Sequence, residues 1–315
     1  MDGISPTAPL DWENVALGIS FVLFNVTVSA YFELGIGRSL LTAAIRCVLQ
    51  LAVVALLLQK VFETNNPFVV AGIALLLNLL GTFEVVMNKA KRRHRYMFPS
   101  VFIGLLGSTV PISIIGTKVA MSVNPFWTPI QYIPVVGMLS GSAVSGVIIS
   151  VSYVLKELQD NRDKVEVYLA FGASRMEACR PIAKEALRTA LTPVINQMSV
   201  LGIIAIPGMM TGAILGGSSV KQAAKLQMII MFMISSATTM ASIFTTIAVI
   251  AVTVDGEHRI RVDRIDGGVH ALWRARDALT KKVVEFLKKP FKFYRREHSR
   301  LQMEPEELSP LTRFH

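Results

Sequence analysis

Seven runs of apolar residues, each about 20 residues long, constrain this chain more than any other feature. At 1.5 Å per residue, a helix of that length crosses a hydrocarbon layer of about 30 Å. Backbone amides inside such a layer find no water, so each run must satisfy its own hydrogen bonds as a helix. The runs lie at approximately residues 14–32, 40–59, 68–87, 97–120, 131–154, 194–217 and 226–253. A soluble core would disperse its apolar residues along amphipathic elements instead of gathering them in blocks. Only 17% of the 315 residues are charged, against about 25% in an average soluble domain, and they fall between the runs and in the tail. The expected fold is all-α, a polytopic, multi-pass membrane protein of about seven transmembrane helices.

Orientation follows from lysine and arginine in the short connections. The segment Lys89-Ala90-Lys91-Arg92-Arg93-His94-Arg95 is the densest basic stretch between two runs. Seven basic residues occupy 155–193 and fourteen follow residue 255, whereas the alternate connections hold only Lys60, Lys118, or Lys221 with Lys225. With an odd number of crossings, these counts agree on an N-terminus outside and a C-terminus in the cytoplasm. The chain then divides into a transmembrane domain, 1–254, with a cytoplasmic loop at 155–193, and a basic, partly disordered tail, 255–315. Within the tail, 270–294 mixes Trp273, Leu279, Val283, Phe286 and Phe293 with basic residues. That pattern suits either a helix lying on anionic lipid or a solvated tail.

The net charge of +10 does not mark a nucleic-acid binder, because the basic residues flank apolar runs instead of forming a basic face. Cys47 lies in a run and Cys179 in a charged loop, so no disulfide framework is indicated. An enzyme is not expected either. His94, His258, His270, His298 and His315 all lie outside the runs, which removes a Ser-His dyad or zinc ligands at depth. No aspartyl pair lies in the runs, and no Gly-x-x-x-x-Gly-Lys-Ser/Thr loop is present to bind ATP.

The long inside loop carries the sharpest local signal, Glu166-Val167-Tyr168-Leu169-Ala170-Phe171-Gly172-Ala173-Ser174-Arg175. Gly172 permits a tight break between two short helices, and Tyr168, Leu169 and Phe171 form an apolar knob that a partner cleft can bury. The spacing from Glu166 through Gly172 to Ile182 resembles the EAA loop, by which ABC permeases plug into their ATPase subunit. Further along stands Gly202-Ile203-Ile204-Ala205-Ile206-Pro207-Gly208-Met209-Met210-Thr211-Gly212. Together with Ala44-Ile45-Arg46, Gln50-Leu51, Gln131-Tyr132-Ile133-Pro134 and Gly137-Met138, it resembles a small family of ABC-transporter permeases. That family is typified by the bacterial iron-export permease FetB and includes plant aluminium-tolerance membrane subunits. Ala213 stands where the family commonly has glutamine. The resemblance implies a separate ATP-binding cassette subunit, two copies of each chain, and a substrate in metal-ion homeostasis such as iron, with relatives also linked to nucleotide sugars. ATP and magnesium would then sit on the partner, with no cofactor in this chain.

Several residues within the runs are candidates for the transport path. Gly208, Gly212 and Gly216 recur every fourth position, as do Gly137, Gly141 and Ser145. Such stripes let another helix approach closely, and Pro207 removes a helical donor near the middle of its run. The segment Pro207, Gly208, Met209, Met210, Thr211, Gly212 thus lines either a translocation route or a dimer seam, or serves helix packing. Arg46 is the one cation deep in a run, and Glu84 lies near the inner end of the next. Each alone would cost several kcal/mol in lipid, so an intramembrane ion pair is expected. Met198, Met209, Met210, Met228, Met231, Met233 and Met240 suit either soft-ion ligation or flexible packing, and no residues designate a metal site. The expected function is an ATP-driven permease for a small solute. The alternative is a stand-alone secondary transporter or channel, which would not need the Glu166–Ile182 loop.

Overall fold

The computed structural model describes residues 11–64, 66–89, 93–94, 96–255 and 265–266. Nine α-helices account for most of them: α1 (Trp12–Tyr31), α2 (Gly37–Thr64), α3 (Pro67–Phe83), α4 (Met97–Ile115), α5 (Pro129–Asp160), α6 (Arg162–Ala170), α7 (Arg175–Val200), α8 (Gly208–Leu215) and α9 (Val220–Thr253). Two of them run on into π-helical turns, α3 into Glu84–Lys89 and α4 into Gly116–Ala120. Six helices among the described residues are long and apolar enough to cross a membrane: α1 to α5, with the π turns counted, and α9. The chain is therefore an all-α, multi-pass membrane protein.

Three packed clusters fix the direction of α3, α4, α5, α7 and α9. At one end, Val135 and Leu139 of α5 meet Val194 of α7 and Ile230, Met233 and Ile234 of α9. Beside them, Val70 and Ala74 of α3 meet Tyr132, Ile133 and Val136 of α5, with Leu58 and Val61 of α2 packed on the outside. At the other end, Val151, Leu155 and Leu158 of α5 meet Met97 and Val101 of α4, Ala178 and Cys179 of α7, and Val249 and Ile250 of α9. Successive long helices are thus antiparallel, and α7 runs the whole length between the two ends.

That path corrects one sequence expectation. The run 194–217 is not a single spanning helix. In its place α7, about 39 Å long for its 26 residues, runs between the two ends of the bundle, although it is not among the six helices apolar enough to cross a membrane. Its first half is charged (Lys184, Glu185, Arg188), so hydropathy placed the span too late. The apolar remainder breaks after Val200, where Gly202 adopts φ +87°, and resumes only at α8, whose N-cap is Pro207. The six apolar spans together with α7 make seven long helices among the described residues.

The centre is built from small residues. A Cβ on Gly146 of α5 would come 2.6 Å from Thr238 Cγ2 and 2.9 Å from Ser242 Oγ on α9. One on Gly104 of α4 would meet Thr245 Cγ2 at 2.7 Å. Lipid tails are as apolar as leucine, so close backbone approach and dispersion hold such helices together. The glycines selected from sequence as packing stripes do not serve here: a Cβ on Gly137, Gly141, Gly208 or Gly212 would meet nothing within 4 Å. Several α9 hydroxyls bond back to their own helix, as Thr245 Oγ1 does to Ala241 O at 2.7 Å and Thr253 Oγ1 to Val249 O at 2.7 Å. Asn78 and Thr109 instead join α3 to α4 through a 2.8 Å hydrogen bond, donated by the threonine hydroxyl.

Outside the spans, Arg93–His94 pairs antiparallel with Ile265–Asp266. The rest of the basic tail, with its 270–294 segment, lies outside the described residues, as do Ala90, Lys91, Arg92 and Arg95. Burial lowers the His94 pKa from 6.5 to about 4, and neither ring nitrogen has a hydrogen-bond partner.

Two outcomes follow for stability in detergent or nanodiscs. Gly146→Leu should lower the melting temperature, by an overpacking penalty of about 1–3 kcal/mol, while Gly107→Ala, with open space around it, should not. Folded His94 resists protonation that the unfolded chain accepts near pH 6.5, so the stability present above that pH is lost as pH falls towards about 4. The full loss is about 3 kcal/mol at 1.36 kcal/mol per tenfold in proton affinity. Melting curves across that window should flatten in His94→Leu.

Candidate coupling helices and membrane groove

At the bundle end that holds the C-terminus of α9, α6 and α7 form a helix–turn–helix. The turn is closed by two hydrogen bonds, Ala173 N to Tyr168 O at 3.1 Å and Gly172 N to Leu169 O at 3.0 Å, with Gly172 at φ +86°. This is the Schellman closure that a left-handed residue after a helix permits. Ser174 then caps α7. Its hydroxyl accepts from Glu177 N at 3.3 Å while Glu177 Oε2 accepts from Ser174 N at 2.9 Å, a capping box. The Ser174 hydroxyl and amide hold the Glu177 carboxyl below its usual pKa. Arg162 and Glu166 pair at 2.6 Å along the exposed face of α6.

The faces of this unit differ sharply. Val165 and Leu169 turn inward and join Ala178, Cys179 and Leu158 in the core. Phe171, 88% exposed, points outward with Tyr168 and Val167. Leu169, assigned to the projecting knob from sequence, is 3% exposed and instead roots the unit in the bundle. The reason is helical period: 165 and 169 share one face, 167 and 171 the other. Val167, passed over in the sequence reading, takes its place. Arg175 reaches back to the carbonyl of Ala251 on α9 at 3.5 Å, which ties the turn to the last helix.

A second feature lies within the membrane-spanning part. α2, α3 and α5 enclose a groove of about 840 Å³, lined by Arg46, Gln50, Glu84, Gly137, Ser140 and Gly141 among others. Arg46 Nη2 and Glu84 Oε2 meet at 2.8 Å, so the ion pair expected from sequence is formed. Glu84 is both the C-cap of α3 and the first residue of its π turn. Ser140 is 5% exposed, and its hydroxyl has no hydrogen-bond partner. Gly137 and Gly141 leave the α5 wall bare, so the structure brings these glycines and the ion pair to one place. Cys47 also lines the groove.

Pro207 and Met210 lie elsewhere. They line an apolar pocket of about 420 Å³ with Met198, Met228, Met231 and Gln227, at the far end of the bundle. Met209 packs into the nearby core, and the hydroxyl of Thr211 bonds back to Pro207 O at 3.2 Å. Gly208 opens α8, Gly212 lies within it, and Gly216 is its C-cap. Sequence reasoning put the break at Pro207 alone; Gly202 starts it and was the signal to weigh. Among the described residues no cluster of three or more His, Cys, Asp or Glu is placed to hold a metal.

Residues 12–253 match the uncharacterised protein family UPF0014. The chain belongs to the UPF0014 family. It is 32% identical over 254 residues to the UPF0014 membrane protein STAR2 of Oryza sativa subsp. japonica, covering 77% of this chain and 86% of that protein. It is 24% identical over 253 residues to the probable iron export permease protein FetB of Escherichia coli (strain K12), covering 80% and 96%. Over 232 residues it is 29% identical to the protein ALUMINUM SENSITIVE 3 of Arabidopsis thaliana, covering 73% and 83%. No solved structure matches.

The two cysteines offer a direct check of this geometry. Burial pushes the Cys179 thiol from 9.0 up to about 11, which alone cuts its thiolate about a hundredfold. A small charged thiol reagent should therefore label Cys47 in the folded protein and leave Cys179 unmodified until denaturant is added. Mass spectrometry of the two peptides reads the result.

Proposed function

We propose that this chain is the membrane-spanning subunit of an ABC transporter, moving a small solute, with a metal ion as the leading substrate class. The observation that carries the reading is the capped helix–turn–helix, rooted in the bundle through Val165 and Leu169 while presenting Phe171, Tyr168 and Val167 outward. An exposed aromatic on a rigid, doubly capped turn suits insertion into a partner's cleft. The partner is a separate ATP-binding cassette subunit, which supplies the ATP and magnesium chemistry. The functional unit would hold two copies of this chain. The excess of lysine and arginine at the coupling end supports a cytoplasmic placement of that end, with the N-terminus outside. The printed name of FetB supports the metal-ion class.

Arg175 fits the same reading, because its contact with Ala251 links the docking turn to α9. A push on Phe171 is delivered to α7 and α9 together, and both helices run to the far end of the bundle.

The test is affinity purification of the tagged chain in mild detergent, followed by an ATPase assay. Wild type should bring down an ATP-binding subunit with ATPase activity. Phe171→Asp should lose that subunit and keep the melting temperature of wild type, since the side chain touches solvent. Leu169→Ala should act oppositely, costing about 2–5 kcal/mol of stability through the cavity it leaves. A chain that purifies alone, indifferent to Phe171→Asp, would favour a stand-alone transporter or channel.

A further inference from the structure

We propose that the outward face of α7 is the wall of a water-filled path for the solute, and that Arg188, midway along it, favours negatively charged solutes. The proposal rests on the transport reading above and names the helix and the charge that the solute meets.

It starts from a conflict between position and composition. α7 runs between the two ends of the bundle, yet it is not among the helices apolar enough to cross a membrane. Its inward face explains how it is held. Ala178, Ala186, Ala190 and Val194 recur at multiples of four residues, are all buried, and lie where α7 packs on α5 and α9. The face turned away carries Lys184, Arg188, Thr192, Asn196 and Ser199, all exposed. The apolar spans expose residues of the opposite kind, such as Phe21 of α1 and Ile103 of α4. Lipid suits that surface and does not suit the outward face of α7.

Depth sharpens the conflict. Arg188 sits at the midpoint of α7, about 20 Å from its start. It lies between Cys179, in the core at the coupling end, and Val194, in the core at the other. Lys184 is one turn nearer the coupling end and can extend towards water there, whereas Arg188 is too far from either end to snorkel out. Neither cation makes an ion pair among the described residues. Unpaired charge at such depth ordinarily faces a water-filled cavity. A second copy packed dry against this face would not relieve it, because it would bury the same unpaired cations and, across a twofold contact, set them against their own duplicates. Water between two copies leaves them solvated, with the partner copy as the opposite wall.

The sign of the wall follows from which groups face it. Glu185 lines a cleft with Tyr153 of α5, away from the outward face. Lys184 and Arg188 therefore leave the middle of the wall positive, and its low-dielectric surroundings focus that field. A bare divalent cation is repelled there, so a metal carried along this wall travels inside an anionic complex.

The test is thiol accessibility in the full-length chain, reconstituted in lipid vesicles, with Cys47→Ala as background. Single cysteines are placed at Thr192→Cys and Asn196→Cys on α7, and at Phe21→Cys and Ile103→Cys on the lipid-facing sides of α1 and α4. The probes are an anionic and a cationic methanethiosulfonate, admitted to both sides by freeze–thaw, with each rate divided by that for free cysteine. Thr192→Cys and Asn196→Cys should react, and the two controls should not. At Thr192→Cys, one turn from Arg188, the anionic probe should lead by about fivefold. Arg188→Gln should erase that lead while labelling continues, and Arg188→Lys should keep it. Both α7 positions as inert as the controls would overturn the proposal, whether lipid or a dry contact covers them. A cationic lead, or an anionic lead that survives Arg188→Gln, would overturn the role of Arg188. An ATPase that co-purifies while the α7 positions stay inert would sink the path and leave the permease reading standing. Labelled α7 positions in a chain that recruits no ATPase would do the opposite.

Discussion

The close approach of α5 and α9 holds the bundle together. These helices are about 48 Å and 51 Å long for their 32 and 34 residues. They meet through Gly146 against Thr238 and Ser242, where no side chain larger than hydrogen fits on the α5 side. In lipid the hydrophobic effect does not distinguish helix from solvent, so such contacts carry the association. The other long helices attach to this pair. α4 repeats the device with Gly104 on Thr245, and α7 lays Ala178, Ala186 and Ala190 into the core from the opposite direction. The outer hairpin of α1 and α2 adds little buried surface, and its inner side is where the groove opens.

Much of this was legible in the amino-acid order, and the misses share a cause. Apolar runs located five of the spanning helices and α9 to within a few residues, because hydropathy reports directly on lipid contact. They misplaced α7, whose charged first half (Arg175, Arg180, Lys184, Glu185 and Arg188) masked a continuous helix. Leu169 was misassigned for a related reason. Type alone says that leucine is apolar; only the α6 period against α7 says which way it faces. The ion pair of Arg46 and Glu84 was legible because an isolated charge in lipid has so few alternatives. The glycines were legible as smooth surfaces but not as to their partners. Gly137 and Gly141 carry the spacing of a packing motif and face open space, while Gly104 and Gly146, each with serines four residues to either side (Ser100 and Ser108, Ser142 and Ser150), make the contacts.

That contrast bears on how the two candidate sites relate. α5 presents Gly137, Ser140 and Gly141 to the groove in its first half, and Leu155 and Leu158 to the coupling helices in its second. A helix is stiff along its axis, so a displacement of α6 and α7 against Leu158 is passed to Ser140 with little loss. α7 does the same on the other side. It starts at the docking turn and ends at Met198, on the wall of the apolar pocket beneath the break at Gly202. Under the proposed permease reading, a partner contact at Phe171 would bear on two helices that each reach a cavity, α5 and the proline-containing α7.

Arg46 and Glu84 offset each other's charge within that groove. Groove and seam lie on different faces of α5, with Gly137, Ser140 and Gly141 on the one and Gly146 on the other. Small residues do opposite work on these two faces. On one, Gly146 lets α9 come close; on the other, Gly137 and Gly141 keep the wall of the groove clear. The asymmetry of α5 is what sets a close-packed centre beside an open groove in the same bundle.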